Sequence, residues 1–130
     1  MAERISLEVP ASLSALSTVR MVLGGVGARL DFSLDDLDDL FLATDRLFGA
    51  ALDAEQLDHL RVAVLVDGST LRITAGQFRS LQLREQVEVT PGNCIDLCTV
   101  LTHLVDAVDV QDDGERFSVV ITKRRTESAA

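Results

Sequence analysis

Residues 59–74 constrain the fold more than any other stretch. Leu60, Val62, Val64 and Val66 recur at every second position, Asp67-Gly68 follows, and Leu71 and Ile73 then alternate with Arg72 and Thr74. Alternation marks half-buried strands, and Asp-Gly between two such runs signals a hairpin with a type I′ turn. A hairpin of this kind has one apolar face, which the rest of the chain must cover.

Helical patterns elsewhere supply the cover. Ile5, Leu7 and Val9 form a first strand ending at Pro10, and Ser12 stands as N-cap to a helix whose apolar set is Leu16, Val19, Leu23, Val26 and Leu30. Gly24, Gly25 and Gly27 lie inside it; each weakens a helix by about 1 kcal/mol relative to Ala but lets another element come close. Ser33 with Asp36 makes a capping-box-like start to a second helix, which Leu37, Leu40, Phe41, Thr44, Phe48 and Ala51 carry to about Leu52. Residues 76–92 show no strong helical period and read as a long loop, with a short strand at 86–89. A third helix runs from Asn93 through Cys94, Leu97, Leu101 and Leu104 to about Ala107. Val108 to Gln111 and Arg116 to Thr122 make a closing hairpin around Asp112-Asp113-Gly114-Glu115. This order predicts an α+β fold, a two-layer α/β sandwich with helices on one face of a mainly antiparallel sheet. The expectation is one domain over residues 1–125 and a frayed polar tail over 126–130.

Charge narrows the function. The 130 residues carry a formal charge of −9, which repels phosphate backbones and anionic lipid, so neither nucleic acid nor a membrane is an expected partner. Two cysteines, no leader-like apolar segment and no long apolar run give a cytoplasmic expectation. Gly24-Gly25-Val26-Gly27 lacks the Gly-Lys-Ser/Thr of a phosphate loop, and Asp109, Gln111 and Asp113 open a calcium-like loop whose twelfth position is Val120. Cys94, Cys98, His59 and His103 match no zinc spacing, so no metal is expected. Asp35, Asp36, Asp38 and Asp39 suit a helix N-terminus; as a functional cluster they read as an acidic docking surface.

Four stretches carry a resemblance: Val9-Pro10-Ala11-Ser12, Leu16-Ser17-Thr18-Val19-Arg20, Gly24 to Leu30, and Phe32 to Leu40. Together they resemble the bacterial anti-sigma factor serine kinases, whose fold is that of the histidine-kinase-like ATPases. The resemblance implies a sigma factor and a STAS-type anti-sigma antagonist as partners, and a homodimer. It also implies that Arg20 matches a partner-contacting arginine, with Asp35, Asp36, Asp38 and Asp39 as a complementary charged face.

The departures from that family concern its chemistry. The family's second helix carries an E-x-x-x-N box, whose Glu is the general base and whose Asn helps hold magnesium. Ala43 to Ala50 puts Arg46 at the Glu and Ala50 at the Asn, and shifting by one sets Asp45 against Gly49. Asn93 is the only asparagine in the chain. Where the family has an adenine-reading Asp followed by glycine, this chain reads Thr74-Ala75-Gly76, and Gly92 and Asn93 stand in place of the phosphate-cradling box. Leu47, Phe48, Ala50 and Cys94 are expected to fill the former pocket with apolar volume. The reading is a pseudo-kinase with no cofactor that regulates transcription by stoichiometric protein binding. An active ATP-dependent serine kinase, and a dimeric adaptor or small-ligand sensor, are the alternatives.

Overall fold

The computed structural model describes residues 3–88 and 97–126. Strand β1 (Glu3–Pro10) leads through a 3₁₀ turn at Leu13–Ala15 into helix α1 (Leu16–Arg29) and helix α2 (Leu34–Ala54). Strands β2 (His59–Asp67) and β3 (Thr70–Phe78), helices α3 (Leu81–Val87) and α4 (Leu97–Leu104), and strands β4 (Ala107–Asp113) and β5 (Arg116–Arg124) follow. The sheet is antiparallel throughout, in the order β1-β2-β3-β5-β4, so the last strand lies inside the sheet and the strand before it at the edge.

The apolar alternation sets the layers. Val9, Leu60, Val62, Val64, Leu71, Ile73, Ala75, Phe117, Val119 and Ile121 are buried with Val19, Leu23, Val26, Leu40, Leu47 and Phe48 of α1 and α2. This is the two-layer sandwich that the element order predicts. The opposite sheet face carries rows fixed by the register: Arg4, Leu65, Arg72, Thr122, Ala107; then Ser6, Ala63, Thr74, Val120, Asp109; then Glu8, Arg61, Gly76, Ser118, Gln111.

Helices α1 and α2 form an antiparallel pair. A Cβ on Gly24 would lie 3.5 Å from Phe41, and one on Gly27 would lie against Leu37, so these two glycines do permit close approach. Gly25 faces open space. The turn between the helices is a Schellman arrangement: Phe32 N–H donates to Gly27 C=O at 3.0 Å and Asp31 N–H to Ala28 C=O at 3.2 Å, with Asp31 at φ 59°. Ser33 accepts from Asp36 N–H at 3.1 Å, as its sequence position predicts. Ser12 makes no side-chain cap; its carbonyl accepts from Ala15 N–H at 3.1 Å.

Several expectations need correction. The β2–β3 turn has positive φ at Gly68 (62°) and not at Ser69, which excludes type I′, because Asp67 pairs with Thr70 and Gly68-Ser69 become the central residues. The stretch expected to be a loop holds α3. Ser80 accepts from Leu83 N–H at 3.2 Å, Glu55 Oε2 accepts from the N–H groups of Arg79 and Ser80, and Leu83 and Val87 are buried one turn apart. Gln86-Val87 is therefore helix, not strand. The third helix ends at Leu104, since Asp106 N–H already donates to Thr122 C=O and Ala107 begins β4. Its expected start, with Asn93 and Cys94, lies outside the described residues. Thr126, assigned to a frayed tail, is tied to Asp36 by two hydrogen bonds.

Candidate functional site

One face of α2 floors a cleft of about 590 Å³. It is lined by Asp45, Arg46, Gly49, Ala50 and Asp53, with Gln86 of α3 and Leu97 of α4. The spacing follows from the helix: residues 45, 49 and 53 lie one above another, and 46 and 50 run beside them. The opposite face of α2 presents Leu40, Ala43, Thr44, Leu47, Phe48 and Ala51 to the core.

The structure brings Asp45, Arg46 and Ala50 together in the lining of one cleft. The described residues do not fill the cleft. Leu47 and Phe48 are fully buried on the core side of α2, Ala50 is a small part of the cleft wall, and Cys94 lies outside the described residues. Thr74 and Gly76 are not at this site. Both lie on the opposite sheet face, where Thr74 lines a 510 Å³ hollow with Arg4, Arg72, Thr122 and Arg124. Gly76 is a packing residue: a Cβ there would come within 2.6 Å of Ser118 Oγ and 3.2 Å of Ser118 Cα. Gly92 and Asn93 lie outside the described residues.

Arg20 meets Asp45 across the helix pair. Its Nη2 donates to Asp45 Oδ2 and its Nε to Oδ1 at 3.3 Å, while its guanidinium carbon lies 5.7 Å from the Phe41 ring centroid. The hydrogen bond and charge of Asp45 raise the Arg20 pKa further above its ordinary value. This pair escaped the sequence reading, although a signal existed: Arg20, Gly24 and Gly27 rise along α1 as Asp45, Phe41 and Leu37 fall along α2. Gln86 was missed because its segment lacks an obvious period.

The four aspartates at the start of α2 do not form one surface. Asp35 and Asp38 are exposed. Asp36 is 4% exposed and accepts from Thr126 Oγ1 at 2.6 Å and Thr126 N–H at 2.9 Å. Lys123 Nζ is 3.7 Å from Asp36 and 3.8 Å from Asp39, and donates to Leu104 C=O at 3.0 Å. Burial alone would raise the Asp36 pKa; the hydrogen bonds from Thr126, the Lys123 charge and Ser33 outweigh it and hold the carboxyl below its ordinary range. Asp36 is thus a structural clip and not part of a docking surface.

Among the described residues no group of His, Cys, Asp and Glu has metal-holding geometry, and no helix is long and apolar enough to cross a membrane.

No family model matches the chain. The serine-protein kinase RsbW of Bacillus cereus strain G9842 is 24% identical over an alignment of 140 residues, covering 93% of this chain and 84% of the relative. RsbW of Bacillus mycoides strain KBAB4 matches at the same 24% identity and coverage. Among solved structures, the RsbU and RsbW domains of Rv1364c from Mycobacterium tuberculosis superpose with a TM-score of 0.67 at 17% identity. That match covers 95% of this chain, which spans only 32% of the longer one. The chain is thus similar over nearly all of its length to the RsbW serine-protein kinases, and its fold is that of the RsbW domain, the histidine-kinase-like ATPase fold.

Proposed function

We propose that this chain is an anti-sigma-type regulator of transcription that binds its partner protein stoichiometrically and does not transfer phosphate. The observation that carries the reading is the α2 face of the cleft, which presents Arg46 and Ala50, the residues that the resemblance sets against the Glu and Asn of the box. A guanidinium stays protonated and cannot act as a general base, and a methyl group cannot ligate magnesium. Phosphoryl transfer depends on positioning and charge neutralisation, and both contributions are missing at these two positions. The relatives are named kinases, so the difference lies in the cleft and not in the fold.

The expected partners are a sigma factor and a STAS-type antagonist in the cytoplasm, met through the α1–α2 side where Arg20, Asp35 and Asp38 are exposed. A second copy fits the open sheet face. Its middle row is short-chained except for Asp109, and in a two-fold arrangement with strands reversed, the row holding Arg4 and Arg72 would meet the row holding Glu8. The persistence of the 590 Å³ cleft also favours, as a second reading, a sensor for a different small ligand.

Thermal unfolding with and without millimolar magnesium-ATP or ADP tests the main reading. No shift is expected, because only a ligand of the native state raises apparent stability. A shift that saturates with nucleotide overturns the pseudo-kinase assignment.

A further inference from the structure

Three guanidinium groups share one hollow on the open sheet face. Arg4 of β1, Arg72 of β3 and Arg124 of β5 line the 510 Å³ space that also holds Thr74, and among the described residues the one acid lining it is Asp109 of β4. All three arginines are exposed, and none of their side chains has a hydrogen-bond or ion-pair partner among the described residues. Other arginines are paired: Arg20 with Asp45, Arg29 with Glu3, Arg61 with Glu8 and Arg84 with Asp112. In a chain whose acids outnumber its bases 21 to 12, the bare patch does not arise for want of carboxylates.

The strand register makes the arrangement. Arg4 and Arg72 sit in one row on either side of Leu65, two strands and therefore about 10 Å apart. Arg124 lies opposite Thr70, one diagonal step from Arg72. Between them Ala63, Thr74 and Val120 floor the hollow with short side chains that leave space above the sheet. A guanidinium fork fits the paired oxygens of a carboxylate or a phosphate. The volume is that of a small-molecule site, which spans about 300–1,000 Å³. A long polyanion or an anionic surface meets the whole charge of −9 and is repelled. A small anion inside the hollow feels mainly the arginines around it, because charges beyond about 8 Å are screened.

We infer that this hollow binds a small organic polyanion, a free molecule carrying two or more carboxylate or phosphate groups on a short carbon frame. Arg4 and Arg72 grip its charged groups and Arg124 closes one side. The site lies across the sheet from the α2 cleft and stands whether or not the protein-binding reading does. Binding cancels the mutual repulsion of the arginines, so the occupied chain is the more stable one. A second copy is the rival occupant, since its row holding Glu8 would meet the same arginines.

Isothermal titration of the full chain with citrate and with fructose 1,6-bisphosphate tests the site, at fixed ionic strength in a buffer free of phosphate and carboxylate. Saturable binding of at least one probe is expected, with a melting temperature that rises with its concentration, and no such response to acetate. Arg4→Ala and Arg72→Ala should each weaken binding at least about tenfold, as loss of a charged hydrogen-bond donor does. Arg72→Lys keeps the charge but gives up the fork, and should fall between Arg72→Ala and the parent. Arg79→Ala removes the same charge at an exposed position outside the hollow and should leave affinity unchanged. Parent-like melting without a probe establishes that each variant is folded. Failure of both probes to bind, or equal weakening by Arg79→Ala, overturns the site. If neither probe binds and Arg72→Ala turns a sedimenting dimer into a monomer, the arginines serve the second copy instead. Repeating the magnesium-ATP melts in Arg72→Ala keeps the two sites apart. A nucleotide shift that persists there comes from the α2 cleft and overturns the pseudo-kinase reading alone, whereas one that vanishes comes from the hollow and supports the anion site.

Discussion

Asp36 stands among three other aspartates, yet it alone is buried, with the backbone and hydroxyl of Thr126 and the ammonium of Lys123 around its carboxylate. Residue type and helix position assign all four the same role, favourable charge at a helix start. What separates them is the return of the chain ninety residues later, which no local pattern announces. Because the folded Asp36 pKa is depressed, its contribution to stability is complete above the ordinary Asp value of about 3.9 and disappears as pH falls through the lower folded value. Asp36→Asn keeps the shape but gives up the charge and one acceptor. It is expected to cost about 1–3 kcal/mol at neutral pH and to flatten the acid limb of stability against pH, checked by urea unfolding between pH 3 and 7. A parent-like value at neutral pH would sink the clip.

The helix pair shows how close approach divides the glycines of α1. Gly25→Ala adds helix propensity in open space and should stabilise by about 0.5–1 kcal/mol. Gly27→Ala gains the same propensity but drives a methyl into Leu37, so it should fall below Gly25→Ala by about 1–2 kcal/mol. Thermal melts of the two single variants decide it, and equal melting temperatures would remove the packing explanation. Legibility at this scale followed periodicity. The long amphipathic helices and the alternating strands were readable because many residues repeat one message. Helix α3 was not, because two buried side chains, Leu83 and Val87, and a cap at Ser80 are too few to make a period. The cleft was half legible for the same reason: α2 contributes five of its residues in helical register, while Gln86 and Leu97 arrive from other elements.

At the scale of the molecule, the sandwich followed from element order, but two residues assigned to one pocket, Thr74 and Gly76, fell on the far side of the sheet from Arg46 and Ala50. In a strand, facing alternates at every residue, so a one-position error in alignment moves a side chain across the sheet. The open face they occupy is the one proposed above for a second copy. If two copies pair through it, the parent sediments as a dimer and Thr74→Arg, at the middle of that face, as a monomer; equal sedimentation coefficients for the two would exclude this face. The strand order has a further consequence. Strand β4 pairs only with β5, and β5 also closes the sheet against β3. During synthesis, β4 therefore emerges with no strand to join, and the sheet cannot be completed until β5 has also left the exit tunnel. A nascent chain stalled or cut before Arg116 lacks the strand that joins β4 to β3, so its sheet stays open at that place however well the rest has folded.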